Sequence, residues 1–306
     1  MEPGRGLIIF PGALGDLICL IPAIHALGRR YPTIEFELMA RAELARFAER
    51  RLTIVAGHSI DRRELALLFS ERGGESKLAR IFFRQFNRID CFFAFDNDRF
   101  RSSLRQAVRS EVSFYPFRPP GTGHVAECYL RAIGAAISEL GGASIELLPD
   151  DLRRAQQRLR AFGLEPGRFV LILPGSGSAR KNWPAENFAL LAGRIESLHP
   201  VLVVLGPAET GLARSFQART LSMVNDTELG ELASIARLSR CFIGNDSGVS
   251  HLAAAAGARG LVIFGPTDPE RWRPIGNVKI IQKDPLQNLV LDQVWASVAE
   301  LIQADH

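Results

Sequence analysis

Three times this chain runs a short apolar, β-branched stretch into a glycine turn and then into a helical pattern. Residues 6–10 (GLIIF) lead to PGALGD, 168–173 (RFVLIL) to PGSGSARKNWP, and 241–244 (CFIG) to NDSGVSHLAAAAG. A strand that feeds a helix this way lays the helix on a sheet face. Repeating the unit demands a parallel sheet covered on both sides. Further strand patterns lie at 34–39, 53–56, 90–95, 201–205, 221–224 and 260–264. Helical patterns lie at 16–30, 42–50, 61–70, 76–86, 99–109 and 124–140 in the first half. In the second half they lie at 151–162, 185–197, 208–219, 228–238, 247–256 and 287–304. The expected class is α/β, with two Rossmann-like doubly wound domains facing a cleft and ligands at the carboxyl ends of the strands.

The length of 306 residues suits two domains of about 150 residues each. A polar boundary at 149–152 divides the chain into 1–148 and 149–306, and the last helix, 287–304, is free to pack back on the first half. Hydrophobic residues make up 47% and charged residues 23%, an ordinary balance for a globular protein. The opening MEPGRGLIIF carries one Arg before Pro11 and Gly12 interrupt the apolar run, so a signal peptide is not expected. No apolar stretch is long enough for a membrane span. Cys19, Cys91, Cys128 and Cys241 are scattered, which argues against a zinc site or disulfide framework and points to the cytoplasm.

The net charge is +4, carried by arginine, because Lys77, Lys181, Lys279 and Lys283 are the only lysines. Residues 62–118 hold twelve basic side chains against seven acidic ones. Two readings stand side by side: a solvated arginine-rich surface, or a face turned to a phosphorylated acceptor or an anionic leaflet. Nucleic acid is not expected, since no motif or basic stripe for it is present.

Each glycine turn has a plain and a chemical reading. Asp16, at a helix start, serves as a cap or as a general base reaching a bound hydroxyl. Ser176, Gly177, Ser178 and Lys181 form a strand-end loop whose amides, hydroxyls and ammonium suit a phosphate, or else a surface loop with an incidental lysine. Asp246, Ser247 and Gly248 cap a helix or present its N-terminus to a pyrophosphate, with His251 one turn inside. Asp96-Asn97-Asp98 is formally a DxD, but it lies in the half not expected to hold a nucleotide, and no metal site is assigned.

PGALGD, PGSGSARKNWP and GNDSGVSHLAAAAG with VIFGPTDPERW resemble, in this order, the motifs of glycosyltransferase family 9, the ADP-heptose:lipopolysaccharide heptosyltransferases. The resemblance implies the GT-B fold, inversion at the anomeric carbon, and Asp16 as base. It places Lys181 on the donor phosphate and Asp246, Ser247, Gly248 and His251 around the diphosphate and sugar. Glu209 falls at the ribose, and Thr227 and Leu229 near the adenine. The implied donor is an ADP-sugar, most simply ADP-heptose, and the acceptor a lipopolysaccharide-core glycolipid or related glycan. No cofactor is implied. The expected form is a cytoplasmic monomer, with peripheral contact at the inner membrane left open. The alternative is another nucleotide-sugar enzyme of the same fold, a transferase with a different donor or an epimerase.

Overall fold

In a computed structural model, described for residues 3–206, 216, 222–224 and 226–303, the chain divides into two compact units, Met1–Gly141 and Gly142–His306. Each is built on a parallel sheet.

The first sheet holds β1 (Gly4–Ile9), β2 (Ile34–Ala40), β3 (Ala56–Ser59), β4 (Arg88–Cys91) and β5 (Glu111–Phe114), in the order β3-β2-β1-β4-β5. Leu7, Ile8 and Ile9 of the central strand are fully buried, as expected where helices cover both faces. One face buries Leu7, Ile9, Met39 and Ile89 under Leu65, Phe82, Phe83, Phe100 and Leu104. Those residues come from α3 (Arg63–Leu67), α4 (Lys77–Phe83) and α5 (Asp98–Ala107), which follow α1 (Leu14–Arg30) and α2 (Ala42–Ala48) in the chain.

The second sheet holds β6 (Val170–Leu173), β7 (Val201–Val204), β8 (Ser222–Val224), β9 (Cys241–Asn245), β10 (Gly260–Phe264) and β11 (Val278–Gln282). Its order is β11-β10-β9-β6-β7-β8. Renumbered from its own first strand, this is the 3-2-1-4-5-6 order of dinucleotide-binding folds. Its core joins Val170, Ile172, Ile243 and Ile263 to Trp183 and Phe188, and to Val294, Val298, Leu301 and Ile302 of the closing helix.

The sequence patterns differ from the structure at definite places. The pattern at 124–140 is not one helix: α6 (Val125–Ala132) ends before Gly134, whose φ of +70° leaves the helical region, and a short 3₁₀ turn follows at Ile137–Leu140. Two carbonyls at that helix end, Ile133 and Gly134, accept from Arg30 at 2.6 and 2.7 Å. The third strand sits at 56–59 rather than 53–56, with Ile54 making only an isolated bridge to Glu49. β5 and β11, both at sheet edges, had no clear pattern. The expected helix at 208–219, apart from Phe216, and Glu209 lie outside the described residues.

The remaining helices are α7 (Pro149–Ala161), α8 (Ala185–Glu196), α9 (Leu229–Leu238), α10 (Gly248–Ala255), α11 (Pro269–Trp272) and α12 (Leu291–Gln303). Because every strand pairs in parallel, the loops after β1 and β5 share one rim of the first sheet. Those after β6, β8, β9 and β10 share one rim of the second.

Candidate functional site

On the first unit's rim, β1 passes through Phe10-Pro11-Gly12 into α1. Phe10 is fully buried, edge-on to the rings of Phe92, Phe117 and Tyr129. Gly12 lies against it so closely that a Cβ there would stand 2.3 Å from Phe10 Cε1 and 2.8 Å from Asp16 Cβ. Asp16 is the third helical residue of α1 and is 8% exposed. Its Oδ2 accepts from the Ala13 amide at 3.2 Å, the returning half of a capping box whose other half is missing because Ala13 has no side-chain acceptor. The cap and the base readings are therefore compatible: one carboxylate oxygen is engaged locally. The other, Oδ1, stands 3.5 Å from Nη2 of Arg118, which arrives from the segment after β5 and also lies over the Phe117 ring. Sequence does not mark Arg118, because nothing in FYPFRPPG distinguishes a residue that meets Asp16 only through folding.

On the second unit's rim, two loops are stapled together. Asn245, fully buried at the end of β9, donates from Nδ2 to the Pro174 carbonyl at 2.6 Å and accepts from the Trp183 amide at 3.1 Å. Both ends of the loop after β6 are thus fixed by one side chain. Trp183 is 1% exposed, donates its indole N–H to Leu289 O at 2.9 Å and packs edge-on to Phe188. Between these anchors the loop comes to the surface: Gly177 and Ser178 are exposed and Ser176 is half-buried. Ser176 Oγ donates to Ser178 O at 2.8 Å. Lys181, in a 3₁₀ turn at Ala179–Lys181, extends to Asp246 at 2.8 Å from Nζ to Oδ2. Asp246 is buried, while the lysine side chain keeps 35% exposure.

The next residues open α10. Ser247 is the N-cap, accepting from the Ser250 amide at 3.4 Å. Ser250 Oγ in turn donates to Asn245 O at 2.7 Å. Gly248 and Val249 are half-buried at the helix mouth, where the first amides have no partner within the helix. His251 is 4% exposed, one turn inside. Thr227 lies in the turn before α9, with Oγ1 buried and unpartnered, and Leu229 is the first residue of that helix.

The structure thus brings Lys181, Asp246, Ser247, Gly248 and His251 onto one rim with the Ser176–Ser178 loop. A partly exposed ammonium, a hydroxyl-bearing loop and an open helix start are groups of the kind that can bond a diphosphate. In the Asp96-Asn97-Asp98 segment the middle residue, Asn97, caps α5 by accepting from the Phe100 amide at 2.9 Å, and the exposed Asp98 lies 3.5 Å from Arg101. Among the described residues no group of three or more His, Cys, Asp or Glu is placed to hold a metal ion.

Comparison with known proteins agrees with the motifs. The model of glycosyltransferase family 9 (heptosyltransferase) matches residues 97–289. Lipopolysaccharide heptosyltransferase 1 of Escherichia coli (strain K12) is 21% identical, over 94% of this chain and 95% of that protein. Among solved structures, the family 9 glycosyl transferase of Veillonella parvula DSM 2008 superposes with a TM-score of 0.82 at 18% identity, covering 99% of this chain and 98% of its own. E. coli ADP-heptose lps heptosyltransferase II does so with a TM-score of 0.77 at 16% identity, covering 97% and 98%. The shared fold is GT-B. With the family model spanning most of the chain, from α5 to the approach to the last helix, the protein belongs to glycosyltransferase family 9.

Proposed function

We propose that this glycosyltransferase moves a heptose from ADP-heptose to a hydroxyl of a lipopolysaccharide-core or related glycan acceptor, with inversion. The observation that carries the reading is the Lys181–Asp246 pair at 2.8 Å, set between two strand-end loops stapled by Asn245. This rim of the second unit offers a partly exposed ammonium and backbone amides, and the relatives at the same length are named for ADP-heptose and lipopolysaccharide. In this reading residues 149–306 bind the nucleotide-sugar and residues 1–148 bind the acceptor. The donor diphosphate lies against Ser176–Lys181 and the start of α10, with Asp246, Ser247, Gly248 and His251 around it. Glu209 takes the ribose, and Thr227 and Leu229 line the adenine.

Asp16 removes the proton of the acceptor hydroxyl, and that oxygen attacks the anomeric carbon from the face opposite ADP. Negative charge builds on the departing diphosphate, where Lys181 and the α10 amides act as preorganised donors. Because Lys181 supplies that positive charge, the mechanism needs no metal ion. The arginine-rich stretch 62–118 suits a phosphorylated glycolipid acceptor and peripheral contact with an anionic leaflet at the cytoplasmic face. The protein acts as a monomer.

The test is a donor panel, in which ADP-heptose, ADP-glucose, UDP-sugars and GDP-sugars are each mixed with the enzyme, with and without a heptose-deficient core acceptor, and nucleotide release is measured. ADP appears only with ADP-heptose plus acceptor, and chelator leaves the rate unchanged. A sugar rearranged in the absence of acceptor would instead mark an epimerase, and release from a different donor would replace heptose.

A further inference from the structure

β8 is one of the two edge strands of the second sheet, and Asp226, Thr227 and Glu228 lead from its carboxyl side into α9. The turn has weak local support, because Glu228, the N-cap of α9, makes no side-chain cap bond. Its first-turn acid, Glu231, occupies the position from which Asp16 and Glu139 fold back to bond their own helix starts. Glu231 bonds a distant arginine instead.

That arginine is on α7. Arg158 donates from Nε to Glu231 Oε1 at 2.5 Å, from Nη2 to Oε2 at 3.3 Å and from Nη1 to Asp226 Oδ1 at 2.9 Å. One helical turn earlier, Arg154 donates to the fully buried Asp151 at 2.7 Å and stands 3.2 Å from Glu228 Oε2. The residue before Thr227, the residue after it and an acid one turn further on are therefore all tied to α7. Thr227 itself keeps a buried hydroxyl oxygen with no partner, a condition that a ligand atom relieves. Glu231 is the buried partner, whereas Asp226 and Glu228 are 72% and 76% exposed, so the Glu231 fork carries most of the constraint and the outer pairs add little. The bidentate fork of an arginine is the strongest form of that constraint.

We propose that Arg158, seconded by Arg154, is a positioning residue for the nucleoside half of the donor. This rests on the donor-site reading above, in which Thr227 and Leu229 meet the adenine. Arg158 holds the 226–228 turn in its binding shape before the ligand arrives, so the ordering cost is not charged to binding. The diphosphate loops at 174–184 and 245–248 make no bond to either arginine, so their grip on phosphate is independent of it.

The experiment uses the full chain with Arg158→Gln, Arg158→Lys and Asp226→Asn. ADP binding is measured by calorimetry, donor KM and kcat by turnover, and inhibition by both ADP and inorganic pyrophosphate, with Tm in parallel. Arg158→Gln weakens ADP and raises donor KM about tenfold, the equivalent of about 1.4 kcal/mol. Its kcat stays within about threefold, and pyrophosphate inhibition is unchanged. Arg158→Lys recovers part of the ADP affinity. Asp226→Asn, which leaves the Glu231 pair intact and so keeps the fold if Arg158→Gln does not, weakens ADP about threefold. Unchanged ADP affinity in the folded variants overturns the proposal, as does equal loss for ADP and pyrophosphate, the mark of general loosening. Lys181→Ala is the control: if it too leaves ADP affinity untouched, the donor-site reading itself has failed.

Discussion

A single methyl group at Gly12 meets the Phe10 ring at 2.3 Å and the Asp16 Cβ at 2.8 Å, and neither neighbour has room to retreat. Phe10 is fully buried among three other rings, and Asp16 is held by its bond to the Ala13 amide. Gly12→Ala therefore costs about 1–3 kcal/mol of stability, as overpacking does, and shifts the carboxylate, so both Tm and turnover fall. A variant with wild-type Tm and rate would show that the turn is looser than these distances imply. Sequence alone made Gly12 and Asp16 legible as a strand-end turn carrying an acid. It could not resolve cap from base, because both uses ask for an acid at the same helix start. Arg118 was invisible for a different reason: it reaches Asp16 from a hundred residues downstream, and no spacing rule connects them. The Arg158–Glu231 clamp, between residues 73 apart, is hidden from sequence on the same ground.

At the scale of elements, the loop between β6 and α8 owes its shape to Asn245 and Trp183 rather than to its own composition. Its glycines and serines bring it to the surface, while its two ends are fastened inside. Trp183→Phe keeps the apolar packing on Phe188 but strands the Leu289 carbonyl. An unpaired buried acceptor costs about 1–3 kcal/mol. Thermal or urea unfolding measures this loss, and turnover falls with it if the loop shifts. No loss of stability would mean that the indole bond is replaced by water. The strands at 6–10, 168–173, 201–205, 241–244 and 260–264 were readable because buried parallel strands leave continuous apolar runs. β5 (EVSF) and β11 (VKIIQ) were not, because edge strands keep charged and half-exposed residues that break such a run. Apolar spacing continues past Gly134, so the sequence predicts one helix over 124–140, and only the backbone angle reveals the break.

Taken whole, the molecule repeats one design twice, and the first sheet also carries a buried polar cluster with its own pH dependence. On β4 of the first sheet, Asp90 is fully buried, accepts from Arg88 at 2.7 and 2.8 Å and from the Tyr115 hydroxyl at 2.9 Å. Burial first, then the neighbouring Asp90 charge, pushes the Tyr115 phenol from 10.0 up to about 12. The folded state thus holds that proton more tightly than the unfolded chain. The stability it contributes is complete below pH 10 and is lost as pH rises towards 12. Tyr115→Phe removes this component: its unfolding free energy falls less between pH 10 and 12 than that of the parent, in denaturant titrations at stepped pH. Parallel slopes would contradict the assignment.

In the proposed reaction Asp16 acts on the acceptor while the second unit binds the donor. Asp16→Asn preserves the size of the side chain and its carbonyl acceptor for the Ala13 amide, but cannot take a proton. The most direct measurement compares ADP release from ADP-heptose and acceptor with the affinity for ADP-heptose alone, in this variant and the parent. Turnover is expected to fall about 10²–10⁴-fold, the usual weight of a general base, with donor affinity within about twofold. Near-parental turnover, or a loss explained by donor affinity, would contradict it.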